Sequence, residues 1–218
     1  NPTTVIMNSN KTITAVFEKK IEVLNPITGK IWMDRNLGAS QVATSSTDAN
    51  SYGDLYQWGR GSDGHQLRTS ANTSTLSSAP VPEHASFIIT SSSSFDWLIG
   101  KNDNLWQGVN GVNNPCPSGF RIPTLFELET ERTSWSSYNS NGAFASPLKL
   151  PVAGDRVVQD GSLQNVGSFG RYWSSTTRML STVDNTYLAS RILVIGIGSA
   201  GASSSRRGMG LSVRCLKD

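Results

Sequence analysis

One glycine pattern in this chain could do chemistry. Gly196-x-Gly198-x-x-Gly201 follows the strand-like "RILVI" and matches the fingerprint that cradles a dinucleotide pyrophosphate. That chemistry requires a helix opening at the glycines, a second parallel strand and an acidic residue about 20 positions on. The residues that follow, "ASSSRRGMG", are poor helix formers. The pattern therefore reads as a Gly/Ser loop between two antiparallel strands. No G-x-S-x-G elbow, H-E-x-x-H pair or phosphate loop occurs elsewhere. Carboxylates could meet in space, but no spacing singles out a pair. The chain is expected to have no catalytic role.

The cysteines and histidines are few. Zinc needs about four ligands, and His65 and His84, beside Cys116 and Cys215, are not at ligand spacing. Two readings of the cysteines stay open: a pair of buried thiols, or a disulfide tying "CPSGFR" to the terminal "LSVRCLKD". The disulfide is preferred. A loop that long would stabilise by roughly 4–5 kcal/mol in the chain-entropy model, and it would imply an oxidising compartment.

The elements that must position these residues can be read locally. In "NPCPSGFRIPTLFELE" (114–129), Thr124 and Glu127 have the spacing of a capping box, and Pro123 discourages helix before it. A helix is predicted near 124–133. A second is predicted over 46–59, where Tyr52, Leu55, Tyr56 and Gly59 fall at i, i+3, i+4 and i+7, capped by Asp48 or Thr47. Strands are predicted within 29–40, 170–177, 185–195 and 211–218. A strand and a hairpin turning at Asp160–Gly161 are predicted in "PLKLPVAGDRVVQDGSL". Residues 3–18 read as a hairpin around "NSNK", and a domain boundary is placed at Ile21. From 60 to about 115 the chain is polar with short apolar islands, the composition of functional surface. The fold class is α+β.

Composition narrows the partners. Of 218 residues, 37 % are hydrophobic and only 16 % charged, so Ser, Thr, Asn and Gly must cover much of the surface. This suits an extracellular binding module. A net charge of +3, with no long basic run, does not point to nucleic acid. Nothing in the sequence suggests membrane insertion. The opening "NPTTVIMNSNK" reads as an internal stretch, so other domains of a longer chain are expected.

The ordered phrases "GKIWMDRNLGA", "YGDLYQWGR", "NPCPSGFRIPTLFELE", "GRYWSST" and "SVRCLKD" resemble the Fibrobacter succinogenes major paralogous domain over residues 21–218. Residues 1–20 resemble the last hairpin of a bacterial surface β-repeat. The family occurs in secreted and surface proteins of Bacteroidetes and related bacteria. The resemblance implies a C-type lectin-like fold, with two short helices flanking a twisted, mainly antiparallel sheet with long loops. It also implies that Cys116 and Cys215 are the family's structural pair, and that "CPSGFRIPT" is a strand-to-helix entry. In such a fold Trp32, Tyr56, Trp58 and Trp173 are more readily core than ligand contacts. The E-P-N or Q-P-D and W-N-D signatures of calcium-dependent sugar binding are missing, and the catalytic cysteines of formylglycine-generating enzymes have no counterpart.

In such a fold a ligand would meet the late strands. The candidates are Trp173, Ser175, Thr177, Arg178, Tyr187, Arg191, Arg206 and Arg207, because arginine and aromatic residues anchor interfaces and serine adapts to them. A second candidate surface is the insertion 60–110, with His65, Arg68, His84, Trp97 and Trp106, where an exposed tryptophan would stack on a sugar ring or peptide side chain, although tryptophan is more commonly buried. No cofactor is certain. A calcium ion would draw on the loop oxygens of Asp63, Asp103, Asn104, Asp155 and Asp160. The expected role is a secreted or cell-surface adhesion module recognising a glycan, protein or peptide. The rival is an accessory or structural cap of a larger secreted hydrolase.

Overall fold

The capping box at Thr124 forms as its spacing predicts. The Thr124 hydroxyl accepts from the Glu127 N–H, and the Glu127 carboxylate accepts from the Thr124 N–H at 2.8 Å, opening helix α1 (Leu125–Thr133). A second helix, α2 (Ser140–Ala145), starts where the Asn139 side chain accepts from the N–H groups of Asn141 and Gly142. This helix was not anticipated, being six residues rich in Ser, Asn and Gly. In this computed structural model, residues 21–92, 94–100, 102–179 and 188–218 are described. The hairpin expected at 3–18 lies outside them.

The strands, in chain order, begin with β1 (Glu22–Leu24), β2 (Ile31–Met33), β3 (Tyr56–Gln57), β4 (Asn72–Thr73), β5 (Phe87–Ile88) and β6 (Phe120–Arg121). They continue with β7 (Asp155–Arg156), β8 (Leu163–Gln164), β9 (Gly170–Met179), β10 (Leu188–Ile195), β11 (Ala200–Arg206), β12 (Gly210–Leu211) and β13 (Leu216–Lys217). Among the described residues they form sheets in the orders β1-β2-β13-β6, β11-β10-β9 and β3-β12-β7-β8, with β4 and β5 paired in parallel. The other pairings are antiparallel, so the fold is mixed α+β.

In the sheet β11-β10-β9, the central residues of β9 and β10 are buried on both faces. Trp173 and Ile192 join a core with Trp58, Trp106 and Val213. Their neighbours Tyr172 and Leu193 point the other way, as strand alternation requires, into a core with Trp32, Leu128 and Trp135. Helix α1 packs on this sheet. Cys116 and Cys215 form the preferred disulfide, with Cα atoms 5.9 Å apart, fastening the loop before β6 to the chain entering β13. Fully buried Arg214 works nearby without a carboxylate partner among the described residues. Its guanidinium donates to Asn36 Oδ1 at 2.9 Å and to the carbonyls of Leu148 and Met33.

Two expectations need correction. The helix over 46–59 is only a 3-10 turn, Ala49–Ser51, capped by Asp48. Gly53 takes a φ of +68°, which breaks the helix before β3, and Gly59 takes +85° just after that strand. Tyr52, Leu55, Tyr56 and Trp58 are all buried, but no α-helix carries them. The loop expected after Gly196 is also shorter than read. Only the turn, closed by the Gly196 N–H on the Ser199 carbonyl, is loop, and "AGASSSR" is strand β11 paired along β10. The hairpin between β7 and β8 turns near Asp160–Gly161 as read. Among the described residues, no helix is long and apolar enough to cross a membrane.

Candidate functional site

The late strands bring together some predicted residues and bury others. Between the pairs Trp173–Ile192 and Thr177–Ser190, three residues of β9 face the single Arg191 of β10, a bulge that re-aims the strand. Beyond it Arg178 is exposed, while Thr177 and Arg191 are partly buried. Arg178 Nη1 donates to Ser204 Oγ at 3.5 Å, and Arg191 Nη1 donates to the same oxygen at 3.1 Å. Two guanidinium groups from β9 and β10 thus converge on one hydroxyl of β11. Neither is paired with a carboxylate among the described residues. Beside them opens a cleft of about 500 Å³ lined by Val157, Gln159, Gln164, Ser204, Ser205 and Arg206. The Arg206 guanidinium lies 3.7 Å from the Phe95 ring centroid.

Trp173, Ser175 and Arg207 belong to the scaffold instead. Trp173 is fully buried and its indole N–H donates to the Tyr56 carbonyl at 2.7 Å. The buried Ser175 donates its N–H to Pro123 O at 2.8 Å. Arg207 is 1 % exposed, pairs with Asp103 and stacks 4.3 Å over Trp58. Tyr187 lies outside the described residues. Ser204, Gln159 and Gln164 were missed. Pairing "AGASSSR" with the apolar run of β10 would have placed Ser204 opposite Arg191.

The insertion 60–110 is largely exposed or half-buried, but most of the residues named in it are core. His65 is buried. Its Nδ1–H donates to Asp63 at 2.6 Å and its Nε2 accepts from the Gln57 N–H at 3.1 Å, so both ring nitrogens are engaged. Burial lowers its pKa to about 4 although Asp63 pulls the other way, so the ring is neutral near pH 7. Arg68 donates to the carbonyls of Gly53 and Ala153. Trp97 and Trp106 are buried, their N–H groups donating to the carbonyls of Trp58 and of Arg60 and Asn113. His84 alone of these is exposed, its Nδ1 accepting from Ser86 N–H.

The oxygen donors considered for calcium are dispersed. Asp63 is held by Arg60 and His65, and Asp103 by Arg207. Asp155 accepts from Arg171, Gln164 and Asn165. Asp160 accepts from Ser162, and the exposed Asn104 donates its backbone N–H to Asn102. Among the described residues, no three His, Cys, Asp or Glu side chains gather as a metal site. Burial pushes the carboxyls of Asp54 and Asp96 up to about 6, but neither lines the cleft.

Comparison of the chain with protein-family models, curated proteins and solved structures finds no match.

Proposed function

We propose that this chain is a non-catalytic binding module, secreted or displayed at the cell surface, of the Fibrobacter major paralogous type with a C-type lectin-like fold. Its ligand is a glycan, protein or peptide met by the late strands. Support for the family comes from the capped helix following "CPSGFRIP" and from the disulfide tying that phrase to the terminal strand. The same disulfide supports localisation outside the cytosol. The observation that carries binding is the convergence of Arg178 and Arg191 on Ser204 beside the cleft. Two cations held close, with no carboxylate paired to either among the described residues, repel each other, and a ligand acceptor relieves that cost.

The test is a screen of the oxidised chain on glycan and peptide arrays, with calcium and with chelator. A reproducible hit weakened by Arg178→Ala or Arg191→Ala supports the late-strand site. Loss of the hit with chelator would add a cation. A blank from folded protein under both conditions overturns the binding role and favours a structural or accessory cap.

A further inference from the structure

Strand β11 is the outer strand of its sheet. It pairs with β10 along Ala200–Arg206, and among the described residues no strand pairs with its other edge. Seven residues make it long for such an edge, and Ala200–Ser205 carry neither the charge nor the proline that commonly protect one. Ala202 and Ser203 are exposed. The cleft is walled on one side by Ser204, Ser205 and Arg206 of β11, and on the other by Gln164 of β8 and by Val157 and Gln159 around the β7–β8 hairpin. β8 is itself the last strand of its sheet. The cleft therefore lies between two sheet margins, a setting suited to extended backbone more than to a sugar ring.

Granting the binding role proposed above, we infer that the ligand is an extended acidic peptide that adds as a strand to the free edge of β11, with a carboxylate opposite Ser204. An added strand runs about 4.8 Å from β11. Its residue facing Ser204 presents a Cβ about 5 Å away on the same face. That is the face on which Arg178 and Arg191 reach the Ser204 hydroxyl, so a Glu or Asp side chain there meets both guanidiniums. Backbone hydrogen bonds to β11 give the addition its affinity, and the two arginines fix the register. At the other end of the strand, exposed Ile197 and the Phe169 ring lying against Gly196 offer an apolar contact.

The experiment uses the whole oxidised chain and a labelled nine-residue peptide alternating Glu with Thr, followed by fluorescence polarisation. Three further probes are the same peptide N-methylated at alternate amides in either register, its Lys-for-Glu counterpart, and an oligogalacturonate. Saturable binding of the Glu peptide is expected, weakened about tenfold by Arg178→Ala and by Arg191→Ala, and weakened by 0.5 M salt. One N-methylated register should lose binding tenfold or more. This arm leaves the protein unaltered and so does not depend on a variant folding. Equal binding of both N-methylated forms, or of the Lys peptide, overturns strand addition or its charge preference. Binding of oligogalacturonate without the Glu peptide overturns the inference but keeps the binding role. Self-association with no peptide binding points to β11 pairing with a second copy and also overturns the inference. No binding of any probe, with blank arrays, overturns both.

Discussion

Reducing the Cys116–Cys215 bond should cost most of the stability that a long covalent loop supplies. The two cysteines are 99 positions apart, and the chain-entropy model assigns such a loop about 4.7 kcal/mol at 25 °C. The native side should change little. β13 is held between β2 and β6, Lys217 pairs with Glu22, Asp218 pairs with Arg121, and Cys215 sits fully buried in the tryptophan core. The effect therefore falls on the denatured chain, which expands once the loop opens. Urea titrations followed by tryptophan fluorescence, on oxidised protein and on a Cys116→Ala/Cys215→Ala double variant, should show a loss of about 3–5 kcal/mol. They should also show a steeper denaturant dependence for the variant, because more surface is exposed on unfolding. Total stabilities of such domains are about 5–15 kcal/mol, so the variant is expected to be marginal. A loss below about 1 kcal/mol with an unchanged slope would refute the reasoning.

Three other expectations follow from packing and charge. Gly142→Ala should destabilise by about 1–3 kcal/mol or more in thermal melts, because its Cβ would clash with the Ser137 carbonyl oxygen; Gly201→Ala, with open space around it, should lose nothing. Arg156 donates to Gly161 O, Leu67 O, Ser70 O, Ser70 Oγ and Asn72 Oδ1 while stacking 4.3 Å over Phe87. Arg156→Lys, with three donors and no flat face, should cost roughly 2–4 kcal/mol by chemical denaturation. Burial pushes the carboxyls of Glu127 and Asp63 up, but Arg121 and Thr124 for the first, and His65 and Arg60 for the second, hold both down to about 2. Folded values below unfolded ones give stability above about pH 4.5 that is lost as pH falls towards 2. Between pH 6.5 and 4 the unprotonated His65 costs stability as pH drops, while Asp54 and Asp96, raised to about 6, add it. Urea midpoints should therefore stay nearly level down to about pH 4.5 and then fall, and Glu127→Gln should soften that fall.

What could be read from the chain was what short-range chemistry decides. The T-x-x-E spacing placed α1 because both capping bonds lie within four residues. The turn at Asp160–Gly161 and the rejection of a helix at Gly196 were equally local. Residues 46–59 misled because apolar spacing at helical period also arises where every side of an extended chain is buried, as around Tyr56 and Trp58. In the insertion Trp97 and Trp106 are core, the commoner outcome for tryptophan, because Arg60 and Asn113, with Gln57 just before the insertion, spend their polar groups on neighbouring backbone. At the candidate site, the arginines were visible as residue types. Their meeting point, Ser204, depended on the cross-strand register of a run of serines that local propensity assigns to a loop.

Arg214 has a consequence for the order of assembly. Burial lowers its pKa only to about 10, so it enters the core as a cation that no neutral-pH proton loss can discharge. Its acceptors come from Met33 and Asn36 near one end of the described chain and from Leu148 past its middle. A half-built core holding one group of acceptors but not the other would strand a charge away from water. Burying the charge before both groups of acceptors are in place costs free energy, so the docking of the early strands, the segment after α2 and the final strand is coupled. The guanidinium thus ties three distant stretches of chain into one core, because its full set of acceptors exists only when all of them are docked.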